Sequence, residues 1–158
     1  MREIEALKEM VEIAKVRTKN PNFNPELVYF SVNRGSSSRY YEDAVAQQKF
    51  SPKFSNPSSG SVILDEMSMP NMTDFHLTPH NVSVMTTSSP CQYVLCHQEP
   101  KKTPYEALVE FTFEQCWNYY NWKGAIKFPA CLQNANKLSK LAGKSLKEDI
   151  KADNKMAQ

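Results

Sequence analysis

The apolar residues near the start of the chain recur at the spacing of a helix. Four of them fall on one side of segment 3–17, opposite mostly charged positions: Ile4, Leu7, Val11 and Ala14. Segment 20–25 breaks this pattern, because its two prolines lack an amide donor and restrain the residue before them. The pattern therefore predicts an amphipathic helix that ends just before this segment.

Short runs of apolar, β-branched and aromatic residues predict the strands of a sheet. They lie at 27–32, 61–65, 74–77 and 92–96, and proline and asparagine separate the last three. The run at 27–32 is almost continuously apolar, as in a strand covered on both faces. Segment 47–60 is rich in Ser, Pro, Asn and Lys, which indicates a long surface loop. We expect a sheet of about four or more strands.

Two further helices are expected to close the chain. The first opens with Thr103 as its capping residue and Pro104 at the first helical position, and it runs to about Tyr120. Its apolar stripe comprises Ala107, Leu108, Phe111 and Cys116. The second spans 130 to about 141, with Gly143 as a natural stop. Residues 144–158 then form a basic polar tail, expected to be a frayed or disordered helix, so residues 1–143 are the domain.

Length and composition favour one soluble domain. The chain has 158 residues, of which 41% are hydrophobic and 23% charged, and its mean hydropathy is −0.57. It contains no run of the roughly 20 apolar residues that a membrane helix needs, and its first residues do not resemble a signal peptide. We expect a cytoplasmic protein, with the nucleus as the alternative. The net charge of +2 neither demands nor excludes a nucleic-acid partner.

The cysteines are expected to be reduced and to pack as small hydrophobic residues. They are Cys91, Cys96, Cys116 and Cys131. Cys91, Cys96 and His97 do not form a paired Cys-x-x-Cys pattern, and strand alternation places Cys96 and His97 on opposite faces. We therefore expect no metal site and no cofactor.

Two other residue sets have a structural reading that we favour over a functional one. Asp65 and Asp74 could form a catalytic carboxylate pair, but each also suits the end of a strand or a turn. Trp117, Tyr120 and Trp122 are expected to be core or half-buried packing residues. The alternative for these aromatic residues is an exposed set that holds a peptide.

A series of segments, in order along the chain, resembles motifs of the Argonaute/Piwi family. Asn22-Phe23-Asn24-Pro25 is similar to the aromatic-x-Pro entry to a strand of that family. Segment 33–39 has Arg34 near one end and Arg39 at the other, and it resembles the basic loop of that family. Segments 60–65 and 74–80 resemble its Gly-Thr-Val-Val-Asp and Asp-Phe-Tyr-Leu-x-Ser-His motifs.

The resemblance continues through the last part of the chain. Segment 89–95 is similar to the family's Arg-Pro-x-x-Tyr-x-Val-Leu strand, with one residue fewer. Segments 116–119 and 126–130 resemble its Cys-x-x-Tyr helix and Ser-Ile-Pro-Ala turn. Together these segments cover roughly residues 3–142. The chain resembles the C-terminal half of a PIWI domain in a slicer-inactive form, such as a nematode-type Argonaute.

The resemblance implies an α/β fold, namely part of the RNase H-like PIWI fold with a mixed sheet flanked by helices. It also implies contacts with the backbone of a small guide RNA. The positions that match such contacts are Arg34, Arg39, His80, Tyr119 and Lys127. Without the resemblance, the two arginines are more simply solvated residues on a polar turn, and the histidine a turn residue. Arginine suits phosphate because its planar fork donates two hydrogen bonds, whereas lysine acts as a point charge.

Other positions depart from the family pattern. Ser89 and Asn121 stand where the family has arginine, and Gln133 where it has tyrosine. The arginine of the family's 5'-phosphate pocket corresponds to Leu141, and the adjacent Lys140 could replace it. These differences lower the RNA affinity that we expect.

The resemblance further implies that the chain is not an enzyme and contains no catalytic residue. In slicing Argonautes, acidic residues and a histidine hold two Mg²⁺ ions around the scissile phosphodiester. The acidic positions fall before the matched part of this chain, and Asn136 stands at the histidine position. An amide oxygen is a poorer ligand than imidazole and has no basicity.

Three functions therefore remain in order of preference. The first is guide binding in a non-slicing Argonaute, with a target RNA, the remainder of an Argonaute or silencing-complex proteins as further partners and no membrane. The second is a truncated interaction module or residual fragment that keeps the fold without binding RNA. The third is a metal nuclease, which needs acidic residues that the sequence does not supply.

Overall fold

The computed structural model describes residues 2–43, 54–64, 72–83 and 85–156. In chain order the elements are α1 (Arg2–Thr18), β1 (Leu27–Asn33), β2 (Glu42–Asp43), β3 (Phe54–Ser55), β4 (Ser61–Leu64), β5 (Asp74–Thr78), β6 (Cys91–Glu99), α2 (Tyr105–Gln115) and α3 (Ala130–Met156). Every helix and long strand expected from the sequence is present. Among the described residues, no helix is both long enough and apolar enough to cross a membrane.

The main sheet has four strands in the order β1-β6-β5-β4, and β2 pairs with β3 in a separate ribbon. The α/β fold is confirmed, and each described strand pair is antiparallel. Asn33 at the end of β1 lies opposite Gln92, and Leu77 near the end of β5 lies opposite Cys91. The ends of β1 and β5 and the start of β6 consequently meet at one edge of the sheet.

The core lies between the sheet and α2, and β5 is buried along its whole length. Phe75 stacks on its cross-strand partner Tyr93 with ring centroids 4.8 Å apart. It also meets Phe30 and Tyr105 edge-on, at 5.8 Å and 6.1 Å. Aromatic pairs in these two geometries add attraction beyond the area that they bury. Phe75 is thus the centre of the packed interior.

A close contact also joins Gly60, the residue before β4, to α2. Gly60 has a φ of +89°, in the left-handed region that favours glycine. A Cβ built on Gly60 would lie 3.2 Å from Cζ of Phe113, which is tighter than ordinary van der Waals contact. The Gly60 amide donates to the Thr78 carbonyl at 2.9 Å. Both the backbone angle and the close approach therefore require glycine here.

The start of α2 differs from the expectation that Thr103 caps it. Pro104 is the N-cap residue and makes no side-chain cap. The Thr103 hydroxyl instead donates to Oε2 of Glu26 at 2.6 Å, and the Glu26 carboxylate also accepts from Gln98 Nε2 and from the amides of Lys102 and Thr103. The hydrogen bonds from Thr103 and Gln98 lower the pKa of Glu26 to about 2. The carboxylate fixes the start of β1 to the segment before α2.

Three further details of the helices correct the sequence expectations. Helix α2 ends at Gln115 rather than near Tyr120, and Phe111 is 57% exposed instead of lying in a buried stripe. Helix α3 continues through Gly143 to Met156, so the expected stop is wrong. An added Cβ at Gly143 would meet nothing within 4 Å, which shows that this glycine has no packing or turn role. The boundary of the domain at residue 143 stays a prediction.

Helix α1 packs most closely through its first turn. Ile4 is the buried residue of α1, whereas Met10 and Val16 are 64% and 79% exposed. Lys8 pairs with Glu99 of β6 at 2.6 Å, and both side chains are substantially exposed. Pairs of this kind contribute little stability. Of the apolar stripe that predicted α1, Ile4 is buried, Val11 and Ala14 are half-buried, and Leu7 is 38% exposed.

Candidate nucleic-acid interface

Three of the predicted RNA-contact residues lie together at the sheet edge where β1 and β5 end and β6 begins. Arg34 directly follows β1, His80 lies two residues beyond β5, and Lys127 lies in the connection between α2 and α3. Cys91, the first residue of β6, donates from Sγ to the Lys127 carbonyl at 3.5 Å. Burial raises the pKa of the Cys91 thiol, and the positive charges of Lys127 and Arg34 oppose that rise. We call Arg34, His80 and Lys127 the cationic edge.

Aromatic and polar contacts position the two cations of the cationic edge. The Arg34 guanidinium lies over the Phe128 ring, 5.1 Å from its centroid, in cation–π geometry. The Lys127 ammonium donates to the Ser89 hydroxyl at 3.3 Å. An ammonium group has three N–H donors, so a single weak contact does not exhaust its capacity. Both cations are thus positioned by neighbours that leave them able to bind an anion.

His80 is neutral at physiological pH in this setting. Burial lowers the pKa of His80, and the charge of Lys127 lowers it further. Its Nδ1 atom is buried and has no hydrogen-bond partner in the described part of the chain. A neutral imidazole still offers one N–H donor, and a buried polar atom without a partner is costly. His80 therefore lies beside Lys127 as a half-buried side chain for which the neutral form is favoured.

Arg39 makes hydrogen bonds within the loop that follows β1. Its Nη1 atom donates to the carbonyls of Ser36 and Ser38, at 3.0 Å and 2.8 Å. The Ser38 amide in turn donates to Ser36 Oγ at 3.2 Å. These bonds make Arg39 a residue that shapes the loop after β1, and its contact with RNA stays a prediction.

Tyr119 is buried, with 7% of its surface exposed, and forms a separate cluster with Lys137. The Lys137 ammonium lies 4.9 Å from the centroid of the Tyr119 ring and 5.9 Å from that of Tyr120. A hydrogen bond with Lys137 lowers the pKa of Tyr119, and Gln133 and Asn121 contribute to the same effect. Lys137 was missed by the sequence analysis. The available signal was a lysine next to Asn136 on α3.

The expectation that Trp117, Tyr120 and Trp122 are packing residues is wrong. They are 51%, 82% and 66% exposed. They belong to the connection from α2 to α3, which the sequence analysis had assigned in part to a longer α2. Since α2 ends at Gln115, this segment is a surface loop above the core.

The remaining candidates have structural roles or lie elsewhere. Asp74, the first residue of β5, is 2% exposed and accepts a hydrogen bond from Gln92. Asp65 lies outside the described residues. No group of three or more His, Cys, Asp or Glu side chains that could hold a metal occurs within the described ranges. Cys91 and Cys116 are fully buried as small hydrophobic residues, while Cys131 is exposed.

Two predicted positions lie on α3. Asn136 is half-buried on the second turn of the helix, six residues after its start at Ala130. Lys140 is exposed and lies one turn further along. The structure thus places the amide of Asn136 on the second turn of a regular helix.

An antiparallel four-stranded sheet packed against α2, with three loops that meet at one edge, places the chain among the α/β proteins. The family model for the Piwi domain matches residues 1–147. The chain belongs to the Piwi family, as the sequence motifs predicted.

The most informative relatives are much longer than this chain. Protein piwi of Drosophila melanogaster is 28% identical over 141 residues, which are 89% of this chain and 15% of that protein. Protein argonaute-3 of Drosophila melanogaster is 33% identical over 95 residues, or 60% of this chain and 11% of that protein. Piwi-like protein 1 of Gallus gallus is 30% identical over 131 residues, or 83% and 14%. The matched part of the chain spans 11% to 15% of the length of these relatives.

Solved structures agree on the fold. The crystal structure of Drosophila Piwi superimposes with a TM-score of 0.60 at 26% identity, over 87% of this chain and 18% of that chain. The C-terminal lobe of a budding yeast Argonaute gives a TM-score of 0.65 at 18% identity, over 81% of this chain and 26% of that chain. The predicted PIWI fold is confirmed.

Proposed function

We propose that this chain contributes contacts to the phosphate backbone of a small guide RNA, as part of a non-slicing Argonaute-like protein that acts in RNA silencing. The observation that carries the proposal is the convergence of Arg34, His80 and Lys127 at one edge of the sheet. The names of the relatives place them among the Piwi and Argonaute proteins, and that membership supports a role with small RNA.

The chemistry of the cationic edge suits phosphate rather than a base. Arg34 and Lys127 supply two positive charges, and His80 supplies a neutral N–H donor between elements fixed by the sheet. Phosphate contacts of this kind position a strand without reading its sequence. The mutual proximity of two cations near Cys91 is unfavourable in the free protein, and a bound anion relieves it. We therefore expect binding that is independent of sequence and weakened by salt.

The proposal that the protein does not slice depends on Asn136. Its side-chain amide stands where the family resemblance places a metal-binding histidine, and an amide cannot act as a base. Asp74, one of the two carboxylates considered above as a catalytic pair, is buried and accepts a hydrogen bond from Gln92. Guided RNA incubated with Mg²⁺ and this protein should remain intact, and robust cutting would refute this part of the proposal.

The test of phosphate binding is a salt series with a labelled single-stranded RNA. The variant with both Arg34→Ala and Lys127→Ala should bind more weakly to every sequence. The slope of log K against log salt should fall by roughly 0.7 for each lost phosphate contact, or about 1.4 for the pair. Adding Arg39→Ala should change the slope by a further 0.7 only if that side chain leaves its loop to meet RNA. Circular dichroism verifies that each variant keeps its fold.

The matched control removes the same charge from α3. Lys144→Ala with Lys147→Ala takes away two exposed lysines outside the cationic edge while favouring the helix that carries them. This control should leave the salt slope close to that of the wild type. If it abolishes binding and the Arg34 and Lys127 variant does not, the tail is the binder and the site assignment is wrong. A folded wild type that binds no RNA would favour an interaction module instead.

A further inference from the structure

Beside the cationic edge lies an open groove of about 460 Å³ with two tryptophans among its lining residues. The groove is lined by Trp117, Trp122, His80 and Lys127, together with the backbone turn at Gly124. We call it the tryptophan groove. The family motifs assigned no role to its two tryptophans, and the phosphate contacts proposed above use only its polar side.

The exposure of both indoles requires an explanation. Each tryptophan carries a large apolar surface, and leaving it in water forgoes the free energy that burial would give. Trp117 meets Phe113 edge-on, with centroids 6.2 Å apart and planes at 85°, yet half of its surface stays open. Trp122 folds back over Gly124, where its Nε1 would lie 3.7 Å from an added Cβ. The two rings are thus held at the groove by contacts while remaining accessible.

The polar side of the groove lies next to these rings. Lys127 supplies a positive charge, and the ring of His80 lies beside it in the groove lining. A groove with aromatic walls and a cation beside them fits a ligand with a flat π-face next to an anionic group. A nucleotide has this combination, because its base stacks on aromatic rings while its phosphate meets the lysine. A purely apolar peptide would leave Lys127 and His80 unused.

We propose that the tryptophan groove stacks an unpaired base of the bound single-stranded RNA, with the adjacent phosphate on Lys127. This inference rests on the proposed function, since it needs an RNA on the cationic edge. Stacking tolerates any base because every base has a π-face. The protein would then hold RNA by two separable contributions, one that depends on salt and one that depends on bases.

The test uses two RNA probes with equal numbers of phosphates, a 12-nucleotide single strand and the same strand made abasic. Alanine substitution of a stacking residue typically costs about 1–3 kcal/mol per base, or about 5- to 150-fold in affinity. The wild type should therefore prefer the base-containing strand by about tenfold or more. The variant with Trp117→Ala and Trp122→Ala should lose that preference and keep its salt slope. Trp117→Phe with Trp122→Phe should retain most of it.

Two controls make the result specific. Phe54→Ala removes an aromatic side chain that is 62% exposed but belongs to the β2–β3 ribbon, and it should preserve the preference. Trp117 and Trp122 are the two tryptophans of the whole sequence, so intrinsic tryptophan fluorescence reports on the groove alone. Base-containing RNA should quench this fluorescence, whereas abasic RNA should change it much less.

The outcomes separate the inference from the proposed function. If the wild type binds both probes equally, or binds RNA with no change in tryptophan fluorescence, stacking is refuted and phosphate binding stands. Retention of the preference by the double alanine variant refutes stacking in the same way. If the wild type binds neither probe, the proposed function fails and the inference falls with it. Quenching by a peptide and not by RNA would assign the groove to a protein partner instead.

Discussion

The replacement of Phe75 by alanine tests whether the sheet and α2 form a core that is stable in this chain. Phe75 is 1% exposed, stacks on Tyr93 and meets Phe30 and Tyr105 edge-on. Truncation of a buried phenylalanine to alanine typically costs about 3–5 kcal/mol, because it removes the transfer free energy and leaves a cavity. Loss of several aromatic contacts at once places Phe75→Ala toward the upper end of that range. Whole domains have only about 5–15 kcal/mol of stability.

Urea unfolding followed by circular dichroism measures this effect. With a slope near 2 kcal/mol per molar urea, a loss of about 4 kcal/mol moves the midpoint down by about 2 M. Phe111→Ala is the matched control, because it makes the same chemical change at a residue that is 57% exposed. Its effect should stay within about 0.5 kcal/mol. If Phe75→Ala costs less than about 1 kcal/mol, or no more than Phe111→Ala, the described core does not hold the chain together.

Two further predictions concern single residues of the fold. The pKa of Glu26 is about 2, below its ordinary 4.5. The stability that its carboxylate gives the folded protein is therefore fully present above pH 4.5 and is lost as pH falls toward 2. The urea midpoints of wild type and Glu26→Gln should therefore differ at pH 6 and converge near pH 2; an equal gap at both would contradict the assignment. Gly60→Ala should destabilise by about 1–2 kcal/mol because of its positive φ and close contact, whereas Gly143→Ala should stabilise by about 0.5–1 kcal/mol in a helix interior. Thermal melts measure both effects. A change of melting temperature in the same direction for both glycine variants would refute the argument.

The secondary structure was largely predictable because its signals are local. The alternation and apolar runs at 27–32 and 74–77 specify β1 and β5, and the spacing of Ile4, Leu7 and Val11 specifies α1. The motif order then led to the PIWI fold, which the Piwi domain match confirms. The starts of the helices and both ends of the long strands were correct to within a few residues, whereas the ends of α2 and α3 were not.

The errors arose from three different causes. Thr103 has the side chain of a helix cap, but Glu26, far away in sequence, takes its hydroxyl and amide. Gly143 has the appearance of a helix stop, yet the residues on both sides favour helix enough for α3 to continue. The exposure of Trp117 and Trp122 depends on where α2 ends, and helix boundaries are the least reliable part of a sequence prediction.

The candidate site was predicted as separate positions and not as an arrangement. Arg34, His80 and Lys127 lie far apart in sequence, and they meet because Asn33 pairs opposite Gln92 while Leu77 pairs opposite Cys91. That register is fixed by buried side chains, since a slip by one residue would turn Phe75 and Leu77 out of the core. Arg34 and His80 thus lie just beyond strands of the sheet, and Lys127 is tied to the start of β6 through the Cys91 thiol. A strand of RNA on this edge would meet preorganised charges, so little ordering of the protein would oppose binding.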